Sequence, residues 1–268
     1  MMNILLPTDF SDNAKNAAIY AMQLFREVPC HFHLLHVLQI PIGAVGSNHV
    51  QMSSGVKQQF DLLLDFLNSI KPNPEHQFHV SFKTNFLLEA VRQQVQEKNI
   101  DLILMGTKGA TNAGASVIGK NTSDVMMKVK CPVLAISENA VFNGHREVLF
   151  PTDYKVSYGG KMLSTLLDFI SMSKASVNIL EIFNSEKEPT NEQGSNKIFL
   201  QNSFLPNTMR TQTYYRTKDD FSKVLQSNHK VDMIVLAAKN LDICYKLLNH
   251  QQNDPITFIN KLPLLVLH

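Results

Sequence analysis

Cysteine is scarce in this chain: among 268 residues there are three, Cys30, Cys131 and Cys244, far apart and without a C-x-x-C pair. Neither a disulfide framework nor a zinc site is indicated, and a reducing cytoplasm is the expected location. Charge of one sign is not in excess either. With 25 Lys and Arg against 23 Asp and Glu, the chain lacks the basic surplus of a nucleic-acid or membrane-surface binder, so neither partner is expected. Apolar runs are short, none approaching the roughly 20 residues that cross a bilayer. The opening MMNILLPTDF has neither the basic region nor the apolar length of a secretion signal, and an unexported, soluble protein is expected. The motifs G-x-S-x-G and H-E-x-x-H are missing, and no carboxylate pair has a reason to be adjacent, so no catalytic residue is assigned.

What is present is alternation. Asn3 to Leu6 is an apolar run ending at Pro7-Thr8-Asp9, after which Ser11 or Asp12 can cap a helix carrying Ala14, Ala17, Ala18, Ala21, Met22 and Phe25. His31 to Val37 reads as a second strand, Pro41 to Ser54 as a loop, and Val56, Phe60, Leu63, Leu67 and Ile70 recur at helical spacing. Gln77 to Lys83 alternates as a strand with Phe78, Val80 and Phe82 on one face, and Phe86 to Val95 is helical. The stretch Leu102 to Ile136 then gives a strand ending at Gly106, a glycine-punctuated loop, a helix from about Asn121 and a strand from Pro132. Strands alternating with helices imply an α/β fold with an open parallel sheet, whose ligands bind at the carboxyl ends of the strands.

The loop has its own chemistry. Gly106 and Gly109 permit positive φ and leave no Cβ in the way, and Gly119 precedes a helix whose first N–H groups have no intrahelical partner. Such an N-terminus carries partial positive charge and suits a phosphate. Gly114 to Asn121 nearly satisfies the G-x-x-x-x-G-K-[ST] phosphate loop, but it ends in Asn121 and lies too far from the preceding strand, which argues against an NTPase of that type.

The spacing Gly106, two residues, Gly109, nine residues, Gly119, followed by a helix and Cys131-Pro132-Val133, resembles the phosphate loop of the universal stress protein family. The resemblance implies a sandwich domain of the adenine nucleotide alpha-hydrolase-like type that binds ATP, ADP or AMP, with Mg²⁺ as a candidate companion. Position by position, it assigns Pro7, Thr8 and Asp9 to the adenine and ribose end, and Val37 to the adenine edge through its backbone. Met105, Gly106, Lys108 and Gly109 line the ribose and first phosphate, and Gly119, Lys120, Asn121 and Thr122 hold the outer phosphates. Lys108 stands where many members have His, and Lys120 where the family's ATP-binding pattern has Ser or Thr. Losing a neutral hydroxyl bond costs about 0.5–1.5 kcal/mol, whereas a charge-assisted bond from Lys120 contributes about 1.5–3 kcal/mol.

The opening then returns. Glu147 to Asp153 (EVLFPTD) repeats Asn3 to Asp9 (NILLPTD) at an offset of 153 − 9 = 144, and Leu262 to Leu267 answers Cys131 to Ile136 at 263 − 132 = 131. Two tandem domains are expected, 1–140 with the glycine loop and 145–268 without it, joined by a linker over Glu138 to Arg146. The second copy is 144 − 131 = 13 residues shorter between these landmarks. At the offset of 131, Gly106, Gly109 and Gly119 become Ala237, Asn240 and His250, and Lys120 and Thr122 become Gln251 and Asn253. Asn240 can still take a left-handed backbone, but the added Cβ atoms argue against nucleotide in the second domain. The family's domains commonly pair through the strand after the loop, which implies pairing of Val133–Ile136 with Leu264–Leu267 within one chain, a pseudo-dimer, with a homodimer as the further option.

Plainer readings stand beside these. Asp9 and Asp153 also suit helix caps or turns. His31 and His33 share a strand face while His36 points to the other, so the three do not converge from this strand alone, and no metal site is assigned. The function expected is a cytoplasmic, nucleotide-binding stress-response protein. The alternatives are a stress-linked interaction protein that binds no nucleotide, and a slow ATPase.

Overall fold

The computed structural model describes residues 1–39, 51–71, 73–108, 118–144, 147–183, 188–204, 209–215, 231–248 and 262–268. The chain divides into two compact units, Met1–Phe142 and Asn143–His268.

In the first unit the elements run β1 (Met2–Pro7), α1 (Asp12–Leu24), β2 (Cys30–Leu38), α2 (Ser54–Ile70), β3 (Gln77–Thr84), α3 (Leu87–Glu97), β4 (Leu102–Gly106), α4 (Lys120–Lys128) and β5 (Val133–Ile136). Their strands lie in the order β3-β2-β1-β4-β5, every described pairing parallel. A sheet covered on both faces wants continuous apolar strands, and Ile4 to Leu6, Leu102 to Met105 and Val133 to Ile136 are all buried. Ser11 caps α1, its hydroxyl accepting from Ala14 N–H at 3.3 Å. Ala17, Ala18 and Ala21 then turn a small-residue stripe inward, which lets this helix lie close to the sheet. In α2, capped by Ser53, Phe60, Leu63 and Leu67 form the buried stripe, while Ile70, the last helical residue, is exposed. Val80 is exposed too, because β3 ends the strand order. Phe86 is the N-cap of α3 rather than part of the helix. The predicted loop Pro41 to Ser54 lies largely outside the described residues.

The second unit runs β6 (Glu147–Thr152), α5 (Lys161–Ser173), β7 (Ser176–Phe183), α6 (Asn191–Asn202), β8 (Met209–Tyr215), β9 (Met233–Ala237), α7 (Leu241–Leu248) and β10 (Leu264–Leu267). Its strand order is β8-β7-β6-β9-β10, again parallel, which is the first unit's order element for element. The helix between the second and third strands differs: α6 has 12 residues where α2 has 17.

The turn after the first strand is built the same way in both units. Phe10 (φ 64°) and Tyr154 (φ 57°) are left-handed, at the same offset of 154 − 10 = 144. Such a backbone costs a bulky residue about 1–2 kcal/mol. Side-chain bonds offset the cost. Thr8 Oγ1 accepts from Phe10 N–H at 3.0 Å and Asp9 Oδ1 from Ser11 N–H at 3.1 Å. Thr152 Oγ1 accepts from Tyr154 N–H at 2.9 Å and Asp153 Oδ1 from Lys155 N–H at 3.2 Å.

Candidate functional site

In the first unit the carboxyl ends of β1, β2 and β4 and the start of α4 enclose a cleft of about 390 Å³. Eleven of the twelve residues singled out from the sequence line it: Pro7, Thr8 and Asp9 after β1; Val37 on β2; Met105, Gly106 and Lys108 after β4; and Gly119, Lys120, Asn121 and Thr122 at the helix start. The twelfth, Gly109, lies outside the described residues. Ala14, His36, Gln39 and Leu87 complete the described lining.

The wall opposite the strands is the N-terminus of α4. Gly119 is its N-cap, no side chain caps it, and no acidic residue stands in its first turn. The partial positive charge of this helix end therefore meets Lys120 and not a carboxylate, an arrangement that favours an anion. Gly119 N–H is held by Thr107 O at 2.7 Å, which fixes where the helix starts.

Two residues behave differently from expectation. Gly106 does not adopt positive φ. Its lack of a Cβ serves packing instead, since a Cβ there would meet Asn13 Cγ at 2.7 Å. Buried Asn13 presses against the end of β4, and with its amide oriented to satisfy both neighbours it donates to Ile136 O (3.1 Å) and accepts from Lys108 N–H (3.3 Å). Thr122, buried at 3% exposure, donates its hydroxyl proton to Gly106 O at 2.8 Å, so what it offers an anion is its backbone N–H.

His36, weighed from the sequence only as a metal ligand, belongs to the cleft. Its Nδ1–H donates to Thr8 O at 2.8 Å and its ring lies against Phe10, with centroids 4.7 Å apart. The tautomer is fixed by that carbonyl, leaving Nε2 as an acceptor in the neutral ring. Nothing local in the sequence announces Asn13 or Gln39; Asn13 meets the end of β4 through the packing of α1, and Gln39 comes to the cleft just past the end of β2. Among the described residues, no group of three or more His, Cys, Asp or Glu side chains is arranged to hold a metal ion.

The corresponding strand ends of the second unit carry a different set. Because Pro7 pairs with Leu35 and Pro151 with Leu180, Glu181 takes the place of His36. Glu181 is 1% exposed, accepts from Tyr154 O–H at 2.8 Å and pairs with Lys197 Nζ at 2.7 Å. Asn240 Nδ2 donates to Asp153 Oδ1 at 2.7 Å, and Lys155 Nζ lies 3.2 Å from Asp153 Oδ2. Asn240 does not use the left-handed backbone open to it. It sits before α7 with its Oδ1 accepting from Ile243 N–H at 3.4 Å, a side-chain task that needs no unusual φ. Tyr158 shares a hydrogen bond with Thr152. Burial, then the bond to Glu181, raises the Tyr154 pKa, and burial raises that of Tyr158. The bond to Asp153 raises that of Lys155. His250, Gln251 and Asn253 lie outside the described residues.

Parallel α/β units, the first with a glycine-edged cleft at its strand ends, define a class of open-sheet α/β folds, and comparison with known proteins narrows it. The sequence model of the universal stress protein family matches residues 1–137, and the chain belongs to that family. A universal stress protein of Methanocaldococcus jannaschii is 24% identical over 139 residues, spanning 50% of this chain and 81% of that one. Among solved structures, a universal stress protein from Archaeoglobus fulgidus aligns over 98% of this chain and 95% of its own, with TM-score 0.61 and 14% identity. A putative universal stress protein from Pseudomonas aeruginosa aligns over 100% and 93%, with TM-score 0.59 and 13% identity. At these identities the structural likeness is one of fold.

Proposed function

We propose that the first unit binds an adenine nucleotide, ATP or else ADP or AMP, and that the protein serves the stress response in the cytoplasm. In the same proposal the second unit, 145–268, is a degenerate universal stress protein domain with a structural or regulatory role. The observation that carries the reading is the convergence of Asp9, Val37, Met105, Gly106, Lys108 and the Gly119–Thr122 helix start on one cleft. Its volume of about 390 Å³ lies within the range of small-molecule sites.

The division of labour follows from the chemistry of the lining. The uncapped N–H groups of α4, with Lys120 and Lys108, would receive the phosphates, where charge-assisted bonds are worth about 1.5–3 kcal/mol each. Asp9 would accept from ribose hydroxyls, and the Val37 backbone would meet the adenine edge. Asp9 is the one carboxylate of the described lining, so a Mg²⁺ ion would take most of its ligands from phosphate oxygens and water. No described helix is long and apolar enough to cross a membrane.

The proposal extends to assembly. β5 and β10 each end the strand order of their own unit, and each is a short apolar strand, VLAI and LLVL, suited to pairing Val133–Ile136 with Leu264–Leu267. Sedimentation at micromolar concentration tests this. A monomer supports pairing within the chain, and a homodimer favours pairing between chains.

A second reading, an interaction protein that binds no nucleotide, draws on Thr122, whose hydroxyl proton is spent on Gly106 O, and on Lys120, which replaces a family hydroxyl. Denaturing the purified protein and identifying released nucleotide by chromatography and mass spectrometry separates the two. About one adenine nucleotide per chain is expected. An apo chain whose melting temperature does not move in ATP would establish the second reading, because a ligand at 100 times its Kd stabilises the folded state by about 2.7 kcal/mol. Phosphate release faster than in a Gly119→Val variant would add slow ATPase activity to the first.

A further inference from the structure

We propose that the outer edge of β3 is an interface between two copies of this chain, which join it antiparallel about a two-fold axis through Val80.

An edge strand offers a row of N–H and C=O groups to any other strand, and proteins that stay apart blunt such an edge with charges, proline, a bulge or shortness. β3 uses these devices sparingly. Among the described strands it pairs with β2 alone, in unbroken register from His31 against Gln77 to Leu38 against Thr84. Its eight residues, QFHVSFKT, hold no proline and one charged side chain, Lys83, which lies 3.8 Å from Glu97. The edge is also remote from β5, which stands at the other end of this unit's strand order.

The character of the strand is symmetric about Val80, and that symmetry selects the occupant. In a two-fold pair centred there, Val80 meets Val80 of the second copy, Phe78 meets Phe82, His79 meets Ser81 and Gln77 meets Lys83. Phe78 stacks on Phe32 at 5.6 Å and Phe82 on His36 at 6.2 Å, so both lie on the strand face of Val80, while His79 bonds to His31 on the other at 2.8 Å. Apolar side chains therefore meet apolar ones on one face and polar meet polar on the other, and no charge faces its like. Neighbouring registers lose this match. Centring on Ser81 would oppose Phe78 to Thr84, and centring on His79 would oppose Phe82 to His76. Val80, 38% exposed, is the side chain that the pairing covers. The two strands alone bury less than the about 1,600 Å² of a standard interface, so the dimer is weak, with a Kd above about 1 µM.

Sedimentation of the purified full chain up to about 200 µM is the first arm of the test, and a dimer should become populated toward that concentration. Val80→Lys sets two ammonium groups against each other at the axis and should weaken association at least about tenfold, with the melting temperature near that of wild type because the position is partly exposed. The second arm is Val80→Cys. Residues opposite each other in an antiparallel pair have Cα atoms about 4.5–5.5 Å apart, within disulfide reach, so mild oxidation should join two copies covalently. The native Cys30, Cys131 and Cys244 are buried and leave the background low. Thr84→Cys is the control, since its two thiols would stand eight residues apart along the pair, about 27 Å, and should not join. A chain that stays monomeric at the highest concentration, a dimer that Val80→Lys leaves as strong, or cross-linking no faster at position 80 than at position 84 would each overturn the assignment.

Discussion

One turn is made twice in this chain, and its two copies look out on different surroundings. In the first unit Thr8 and Asp9 hold Phe10 left-handed at the rim of a cleft whose far wall is the bare helix start at Gly119. In the second, Thr152 and Asp153 hold Tyr154 in the same conformation, but there Tyr154, Glu181 and Lys197 bond to one another and Asp153 is engaged by Asn240 and Lys155. The turn is thus a device of the fold, since it forms with either set of neighbours. What distinguishes a site from its copy is omission: glycines and an uncapped helix where the second unit puts side chains that satisfy each other.

The comparison breaks most easily at Gly119. Valine there would put a branched side chain at the mouth of the anion wall and replace a helix-capping glycine with a residue that caps poorly. Gly119→Val should weaken adenine nucleotide binding at least 100-fold by calorimetry, taking stoichiometry from about one per chain to none. Were one nucleotide still bound per chain with near-native affinity, the cleft of the first unit would not be where it binds.

A smaller but more direct contrast uses the paired positions Gly106 and Ala237. Gly106→Ala drives a Cβ onto Asn13, so the end of β4 or the start of α1 must shift, and overpacking of this kind costs about 1–3 kcal/mol. Ala237→Gly, at a buried position of β9, should cost about 0.5–1 kcal/mol from backbone entropy and about 0.8 kcal/mol more for the lost methyl, with no clash to relieve. Urea denaturation of both variants measures the difference. A Gly106→Ala variant as stable as wild type would mean that Gly106 is loop punctuation and not a packing requirement.

These positions also mark what could be read from the chain. Alternating apolar strands and capped helices are local patterns, and a site made of turn residues, glycines and helix N–H groups is local as well, so eleven lining residues were nameable in advance. The rest depends on register between distant segments. His36 enters the cleft because its ring bonds to Thr8 O, 28 residues away, and Asn240 finds Asp153 across 87. Asn13 is a helical residue like its neighbours until β4 is laid against it. For the same reason HFH on β2 could not announce its bond to His79, which stands 48 residues from His31 on β3.

The finest test asks whether the second unit's network is structural, as its burial suggests. Tyr154 has a pKa raised above the ordinary 10.0, by burial first and then by its bond to Glu181. A folded-state pKa above the unfolded one means that the folded chain keeps its proton longer, so the stabilisation is whole below about pH 10 and is lost as pH climbs toward the folded value. Burial pushes the Cys30 and Cys244 thiols up to about 12, which adds loss in the same direction from a somewhat lower pH. The wild-type melting temperature should therefore fall steeply between about pH 9 and 12. Tyr154→Phe deletes one titrating group and one hydrogen bond. It should start about 1 kcal/mol less stable at pH 7, from the lost bond and an underused Glu181, and then decline less steeply than wild type above pH 10. Parallel alkaline curves would mean that Tyr154 ionises as freely folded as unfolded, and that the second unit's strand ends are open to water in the way the first unit's cleft is.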